Sequence, residues 1–431
     1  MTHARRRIVP NIGRLMHYQL STLSNGLRVI TDSMPDVRSV ALGVWADAGT
    51  RDELPNEAGA AHFLEHLLFK GSERLSAQQI AEAFDAVGGR SNAFTSKEQT
   101  CYWARLRDED LPLGIDILAE MVRRPAFRQH EIDSEKHVVL EEINMNEDDP
   151  TDVAYEEFVR ALWQGHALER PVLGTKSSIT DMTRADIHGF WSRRYHAAAT
   201  VVAVAGRLDH ATLVEMAEEH FGDWHADESS HDHAAATFQP RVGVRHRDTE
   251  QTHLIIGGEG LKRGDDRRFA FGLLNHVMGG GMSSRLFREI REQRGLAYAV
   301  YSFKFPYADS GGYGVYVGTT PSQTEQVLHL IGDEFKKLIA DGISVGELER
   351  AKGHVQGSLA LSEEDPNSRM IRLGRDEIAG LEHLSLDETL ARYDEVTLDD
   401  VHGVATELLS GPKVIGATGP HEAASLEPFV A

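Results

Sequence analysis

The stretch EIDSEKHVVLEEINMNEDDP occupies residues 131–150, and a related stretch, ELERAKGHVQGSLALSEEDP, occupies residues 347–366. Both have the same length, and their matching residues include Glu131 and Glu347, Lys136 and Lys352, Asp149 and Asp365, and Pro150 and Pro366. Self-similarity at a fixed offset, here 216 residues from Glu131 to Glu347, is the signature of a duplicated structural unit. The sequence therefore predicts two related halves.

Strand-like segments flank each copy at a similar offset. SVALGVWADAG, which begins at Ser39, corresponds to THLIIGGEG, which begins at Thr252, and VVAVAG ending at Gly206 corresponds to VIGATG ending at Gly419. Helical and strand-like segments thus recur in the same order in both halves. We predict an α+β protein in which an internal duplication gives two homologous α/β-type domains, each a mostly antiparallel sheet packed with helices.

An acidic and histidine-rich segment, DWHADESSHDH at residues 223–233, separates the halves. One interpretation is a metal-binding tract, but polar segments of this kind cannot bury a core and are typical of linkers. We predict a first domain over residues 1–222, a linker over residues 223–240 and a second domain over residues 241–431.

The first half contains HFLEHLLFKG, in which His62, Glu65 and His66 form the pattern H-x-x-E-H. On a helix of ~3.6 residues per turn, His62 and His66 lie one turn apart on one face, with Glu65 beside them. Such a face can hold a metal ion, and the glutamate can reach a water bound to that ion. A pair of structural histidines on a buried helix is the alternative, because short motifs often match by chance.

The rest of this helix is apolar, which separates a packing face from the histidine face. We expect the packing face to contain Ala60, Phe63, Leu64, Leu67 and Leu68. Gly71 follows at the position where we predict the C-cap of the helix.

A catalytic zinc site typically has three protein ligands and leaves one position for water. Glu135 and Glu142 lie two turns apart on one face of the duplicated helix, and each can direct a carboxylate at the histidines. Their equivalents at the 216-residue offset are Ala351 and Ser358, which cannot be carboxylate ligands. The second half also lacks H-x-x-E-H, and His276 is interpreted as a packing or capping residue. The sequence predicts a metal site in the first half alone.

The segments that follow predict a helix and a hairpin. Residues 76–87 show helical periodicity, with a capping box formed by Ser76 and Gln79 and a stop at Gly88-Gly89. RSNAFTSKEQTCYWARL, from Arg90, is rich in β-formers and has a polar break at SKEQ, which predicts two strands. The first strand is a candidate edge strand that could pair with an extended peptide, and a purely structural hairpin is the alternative.

The 431-residue chain has a formal net charge of −22, which disfavours nonspecific nucleic-acid binding and favours basic partners. No segment approaches the ~18 consecutive apolar residues that a membrane span needs, and the basic N-terminal run MTHARRR precedes no apolar segment. The single cysteine, Cys101, excludes an internal disulfide and fits a reducing compartment. We expect a cytoplasmic protein with no nucleic-acid or membrane partner.

HFLEHLLFKG, NAFTSKEQT, VVLEEI and SSRLFREIREQRGLAY occur in this order along the chain. With these motifs the chain resembles the M16 (pitrilysin-type) zinc metallopeptidases, and within them the roughly half-length bacterial subfamily similar to mitochondrial processing peptidase. The resemblance extends from about SNGLRVI to the C-terminus. It implies a zinc-dependent endopeptidase that hydrolyses peptides or presequence-like segments.

The resemblance also implies residue roles by position. One Zn²⁺ per chain would be bound by His62, His66 and Glu142, the last of which lies the expected 76 residues after His66. Glu65 would be the general base that activates a water in the fourth position. Glu135 would orient a ligand or tune the site.

Substrate contacts follow from the same resemblance. The edge strand with Asn92, Ala93 and Phe94 would receive a peptide by strand addition. Arg291 and Tyr298 of IREQRGLAY, in the second domain, would contact substrate and stabilise the tetrahedral oxyanion. A surface arginine and a core tyrosine are the alternative for this pair.

A partner is implied as well. Full-length relatives enclose substrate between two two-domain halves, and this chain supplies one half. We therefore expect a homodimer, or a heterodimer with a metal-free paralogue, in which Arg291 and Tyr298 reach the zinc of the partner subunit. The alternative function is a non-catalytic scaffold or partner subunit of a heterodimeric peptidase or core-protein assembly, but the complete motif set favours the enzyme. The residues do not distinguish general peptide turnover from trimming of one dedicated precursor.

Overall fold

The computed structural model describes residues 18–226, 233–234 and 236–430. The basic N-terminal run and residues 227–232 of the predicted linker fall outside the described residues. The described chain forms two β-sheets, and helices cover both faces of each.

The first sheet has six strands in the order β1-β2-β6-β3-β5-β4. These strands are β1 Tyr18–Thr22, β2 Arg28–Ser33, β3 Ser39–Ala46, β4 Arg90–Thr95, β5 Thr100–Arg107 and β6 Thr200–Gly206. β2 and β6 are parallel, and every other neighbouring pair is antiparallel. The apolar sequence TVVAVAG of β6 is buried at every position, as expected for a central strand that is covered on both faces.

The second sheet has five strands in the order β7-β11-β8-β10-β9. These strands are β7 Arg241–His246, β8 Thr252–Glu259, β9 Ala297–Pro306, β10 Gly311–Thr319 and β11 Val414–Gly419. β7 and β11 are parallel, and the other pairs are antiparallel. This order repeats β2-β6-β3-β5-β4 of the first sheet, strand for strand. The predicted fold class, two duplicated domains with mostly antiparallel sheets, is confirmed.

Helices lie between these strands in both halves. In the first half they are α1 Ala60–Leu68, α2 Ala77–Ala86, α3 Leu111–Arg123, α4 Gln129–Asp148, α5 Pro150–Leu162, α6 Lys176–Asp181, α7 Arg184–Arg194 and α8 His210–Phe221. In the second half they are α9 Arg268–Gly279, α10 Thr324–Asp341, α11 Val345–Ser362, α12 Pro366–Ile378, α13 Leu386–Glu395, α14 Leu398–Ser410 and α15 Ala423–Leu426. Within the described residues, no helix combines the length and the apolar character that crossing a membrane requires.

The duplicated stretches are α4 and α11, and each is followed at once by a shorter helix. The Asp149 carboxylate caps α5 by accepting a backbone N–H two residues later at 2.7 Å, and Asp365 caps α12 by accepting one three residues later at 2.9 Å. Pro150 and Pro366 occupy the first helical position, where a missing N–H breaks no helical hydrogen bond. The shared Asp-Pro pair thus defines a sharp junction between two helices in both halves.

α5 and α12 each cross to the sheet of the other domain, and we call them the exchanged helices. α5 packs on β7, β8 and β11, whereas α12 packs on β2, β3 and β6. The backbone of Phe158 in α5 lies so close to Gly416 that this glycine has no room for a side chain, and the Met370 side chain of α12 packs directly against Gly43. Each sheet therefore has one face covered by its own helices and one covered by an exchanged helix.

Most local predictions for the first half agree with the structure. α2 has the capping box of Ser76 and Gln79, and β4 and β5 flank a turn at residues 96–99, as predicted from SKEQ. Cys101 is buried in β5. The domain boundaries at residues 222 and 241 stay predictions.

The predicted end of α1 is wrong. Phe69, in right-handed helical conformation, is the C-cap residue, and Gly71 lies two residues further along. Gly71 has a φ of 118° and forms a bridge to Ser76, so its conformational freedom serves the chain reversal after the helix.

An ion pair in the second domain holds the segment that leads to Arg291. Arg285 donates to both carboxylate oxygens of Glu347 on α11, at 2.7 and 2.8 Å. The Arg285 guanidinium lowers the pKa of Glu347 from 4.5 to about 2. Because the folded-state pKa is lowered, this pair stabilises the fold fully above about pH 4.5, and the stabilisation is lost as the pH falls toward 2.

Glu347→Gln should lower the free energy of unfolding at pH 7 by roughly 1–3 kcal/mol, because it removes a two-point charged contact. The difference from the wild-type protein should shrink as the pH falls from 4.5 to 2. Urea denaturation at several pH values measures both effects. Glu349→Gln, an exposed position on the same helix, is the control, and an equal loss in both variants would contradict the assignment.

Candidate metal centre

α1 presents its two histidines on one face because its other face is buried in the first-domain core. Phe63 and Leu64 are completely buried there. The Glu53 carboxylate, itself buried, accepts hydrogen bonds from the backbone N–H groups of Gly59 at 3.0 Å and Ala61 at 2.9 Å. Such groups at a helix N-terminus have no partner within the helix, so Glu53 determines where α1 begins.

His62 and His66 of α1 meet Glu142 of α4. The two Nε2 atoms are 3.2 Å apart, and Glu142 Oε2 lies 3.7 Å from that of His62 and 3.5 Å from that of His66. Among the described residues, this is the one group of three or more His, Cys, Asp or Glu with ligand atoms converging within 4.8 Å. Of the two carboxylates that the sequence pattern left open, Glu142 faces the Nε2 atoms, and Glu135 lies on the other side of the His66 ring.

The spacing of these three atoms fits zinc. With bonds of ~2.0–2.1 Å in a tetrahedral arrangement, neighbouring ligand atoms are about 3.3 Å apart. The measured separations of 3.2, 3.5 and 3.7 Å lie close to that value. Two imidazoles and one carboxylate are also a ligand set of catalytic zinc sites, which leave a fourth position for water. The residues present therefore fit a zinc ion.

Glu135 holds the His66 ring from its Nδ1 side. Its Oε1 lies 2.8 Å from His66 Nδ1, and because a carboxylate only accepts, Nδ1 donates and Nε2 is left to bind a metal. Lys70, one turn beyond His66, contacts the other oxygen of Glu135 at 2.6 Å. Burial would raise the pKa of Glu135, but the hydrogen bonds from His66 and Lys70 outweigh burial and lower it. This carboxyl is therefore ionised at neutral pH.

The two histidines differ in their affinity for protons. Burial, together with the neighbouring His66, lowers the pKa of His62 to about 4 and keeps its imidazole neutral at pH 7. Burial also disfavours the charged form of His66, but the Glu135 hydrogen bond and the Glu142 carboxylate outweigh it and raise the pKa of His66. Because a metal binds the neutral imidazole, metal binding at His66 competes with this proton.

Glu65 lies beside the ligands and outside the converging group. Thr95, the last residue of β4, donates a hydrogen bond from its hydroxyl to Glu65 Oε2. Burial raises the pKa of Glu65, and the Thr95 hydrogen bond opposes this rise. A carboxylate with a raised pKa can take up a proton more readily near neutral pH, which is the property that a general base requires.

β4 lies at the edge of the first sheet and pairs with β5. Asn92 is exposed, Ala93 packs against the first-domain core, and the Phe94 ring meets the Trp45 ring edge-on with 5.4 Å between centroids. The backbone on the outer side of an edge strand can pair with a further strand. Substrate binding by Asn92–Phe94 stays a prediction.

Arg291 and Tyr298 contact each other in the second domain. Arg291 lies in a π-helical turn, Phe287–Glu292, and its guanidinium carbon is 4.8 Å from the centroid of the Tyr298 ring on β9. Tyr298 is 81% exposed, so the alternative of a core tyrosine is wrong. β9 occupies the same edge position in the second sheet that β4 occupies in the first. The described contacts of this pair lie in the second domain, and none joins it to the metal cluster of the same chain.

Two residues of the site, Lys70 and Thr95, are missing from the sequence-based set. Lys70 follows His66 by four residues, in the turn just after α1, and this spacing is visible in the sequence. Thr95 meets Glu65 through the packing of β4 against α1, across 30 residues of chain. No local pattern encodes that contact.

Comparison with known families agrees with the motifs. Residues 28–176 match the family described as Insulinase (Peptidase family M16), and residues 181–354 match the family described as Peptidase M16 inactive domain. The chain belongs to the M16 peptidase family.

Several bacterial relatives carry the name uncharacterized zinc protease. The one from Streptomyces coelicolor is 44% identical over 411 residues, covering 93% of this chain and 89% of the relative. The one from Mycobacterium tuberculosis is 43% identical over 406 residues, covering 93% of each. YmxG from Bacillus subtilis is 39% identical over 399 residues, covering 93% of this chain and 97% of the relative.

Two solved structures share the fold. The peptidase M16 inactive domain from Pseudomonas fluorescens superposes with a TM-score of 0.88 at 23% identity, covering 95% of this chain and 99% of the other. A protease from Helicobacter pylori superposes with a TM-score of 0.87 at 22% identity, covering 94% and 99%. At these identities the likeness concerns the two-domain architecture.

Glu135→Gln should weaken zinc binding by about 10–100-fold, because it replaces the charged carboxylate that orients the His66 ring with a neutral amide, whose oxygen is a weaker acceptor. Competition with a chromophoric chelator measures the affinity. Glu141→Gln, at an exposed position of the same helix, is the control and should bind zinc as the wild-type protein does. Equal affinity in the wild-type protein and Glu135→Gln would contradict the assigned role.

Proposed function

We propose that this protein is a zinc-dependent endopeptidase that hydrolyses peptides or presequence-like segments, with Glu65 as general base. The observation that supports this most directly is the convergence of His62, His66 and Glu142 at zinc-like spacing. The zinc protease names of the relatives point to the same class. The similar lengths of chain and relatives fit the half-length, mitochondrial-processing-peptidase-like subfamily. We propose a cytoplasmic location because the chain has a single cysteine.

Zinc held by His62, His66 and Glu142 would polarise a peptide carbonyl and lower the pKa of a bound water. Glu65 takes the proton of the attacking water and delivers it to the leaving amine. Because Thr95 engages Oε2 of Glu65, we assign the proton transfer to Oε1.

Substrate binding is proposed at the edge of the first sheet. An extended peptide pairs with the backbone of β4 at Asn92–Phe94, so that its scissile bond lies near α1, against which β4 packs. Main-chain pairing tolerates many side chains, and the net charge of −22 favours peptides that contain Arg or Lys.

Arg291 and Tyr298 are proposed to stabilise the oxyanion, one with a positive charge and the other with a hydroxyl group. Tyr298 is exposed, and the contacts of the pair lie in the second domain. We therefore propose that the pair serves the metal site of a second chain. The active unit is then a homodimer, or a heterodimer with a metal-free paralogue.

Glu65→Gln keeps the size of the side chain and removes its ability to take a proton. We expect one zinc per chain to remain bound while peptide cleavage falls by about 10²–10⁴-fold. Metal analysis, and mass spectrometry of a peptide library with and without chelator, provide the two measurements. Glu73→Gln, at an exposed position nearby, is the control.

Two outcomes would refute parts of this proposal. A zinc-replete Glu65→Gln protein that still cleaves peptides would exclude Glu65 as the general base. A wild-type protein that binds no zinc and shows no chelator-sensitive cleavage would favour a non-catalytic scaffold or partner subunit.

Complementation tests whether the active site is shared between chains. A homodimer of Glu65→Gln chains lacks the general base in both sites, and a homodimer of Arg291→Ala chains lacks the arginine in both sites. Each variant should therefore be inactive alone. Co-expressed in equal amounts, they should recover about a quarter of wild-type activity, since half of the dimers contain one complete site. The control mixture, Glu65→Gln with His66→Ala, should stay inactive because both defects lie on one chain. Full activity of a monomer at micromolar concentration would contradict a shared site.

A further inference from the structure

We propose that a group of charged residues between the two domains positions the general base by clamping the turn between β4 and β5. The group consists of Arg51, Glu98, Arg263 and Asp309, and we call it the interdomain ion cluster. This inference rests on the proposed function, in which Glu65 is the base.

Arg51 lies at the centre of the cluster, and its side chain is completely buried. Its guanidinium donates to Glu98 Oε1 at 2.7 Å and to both carboxylate oxygens of Asp309 at 2.6 and 2.8 Å. Arg263 donates to the other oxygen of Glu98, and the backbone N–H of Ala308 lies 3.1 and 3.2 Å from the two Glu98 oxygens. Two residues of the first domain are thus paired with a strand-connecting loop and an arginine of the second.

The cluster holds the β4–β5 turn, residues 96–99, through side-chain and backbone contacts. Glu98 belongs to the turn itself. The backbone N–H groups of Thr50 and Arg51 donate to the carbonyl groups of Ser96 at 3.2 Å and Lys97 at 2.8 Å. The turn is therefore contacted by one loop of each domain. Moving the turn would break its charged contacts with the second domain.

The turn connects directly to the candidate site. It begins immediately after Thr95, whose hydroxyl contacts Glu65 Oε2. Displacement of the turn would displace Thr95 and the end of β4, and with them the orientation of the Glu65 carboxylate. Misplacing a catalytic group by ~1 Å can reduce the rate by as much as about 10²-fold, so small changes here have measurable effects.

The chemistry of the cluster favours positioning over stabilisation. The cost of removing charges from water roughly cancels the attraction within a buried ion pair. A two-point contact between a guanidinium and a carboxylate, in contrast, defines a direction as well as a distance. Another interdomain pair, Arg28 with Glu377 at 3.2 Å, joins β2 to α12 away from the turn and serves as the control pair.

The test uses the full-length, zinc-loaded protein and the variant Asp309→Asn, which removes the charge of the most exposed member and keeps its size. We expect kcat to fall by about tenfold while KM changes by less than about threefold. We also expect faster amide hydrogen exchange in residues 96–99. Arg28→Gln should change neither kcat nor exchange in the turn, because Glu377 retains His383 as a partner at 2.7 Å.

Thr95→Val tests whether the cluster acts through Glu65. This variant removes the hydroxyl contact, so adding Asp309→Asn should lower kcat by less than about twofold further. Independent, multiplicative losses would overturn the proposal, as would equal effects of Arg28→Gln and Asp309→Asn or unchanged exchange in the turn. If the zinc-loaded wild-type protein cleaves no peptide, the proposed function fails, and hydrogen exchange still decides whether the cluster holds the turn.

Discussion

The reciprocal packing of the exchanged helices is the constraint on which the rest of the structure depends. Each sheet has two apolar faces, and each domain covers only one of its own. α4 runs into α5 at Asp149, so the burial of α5 beneath the second sheet fixes the direction of α4. Glu142, two turns before that junction, is thereby held against the histidines of α1. The position of a first-domain metal ligand thus depends on the second-domain sheet.

The two halves share a topology and differ in what their paired helices bring together. In the first half Glu135 on α4 reaches His66 on α1. The equivalent of Glu135 in the second half, Ala351, is completely buried in the core, where a carboxylate would lose its hydration without gaining a partner. His276 of α9 instead stacks on His354 of α11 with 4.1 Å between ring centroids, in agreement with its interpretation as a packing residue. The duplicated halves therefore share their arrangement of strands and helices, and they differ in the side chains that their paired helices bring together.

Features encoded within a few residues were predictable from the sequence, and features that depend on domain packing were not. The capping box at Ser76, the hairpin and the duplicated helices all follow from local spacing. The spacing of residues also identified Glu142 and Glu135 as the two candidates for the third metal ligand. The choice of Glu142 came from the family resemblance, because spacing does not say which side of an imidazole ring a carboxylate contacts. The contact of Arg51 with Asp309 joins positions 258 residues apart, and only the completed fold creates it.

The exchanged helices also interlock the two domains independently of the backbone connection between them. If the chain were cut between residues 223 and 240, each fragment would still hold a helix that belongs to the other. Neither fragment could leave without exposing an apolar sheet face to water, so separation and unfolding would be a single event. The two domains therefore depend on each other as the subunits of an obligate complex do, although one backbone joins them.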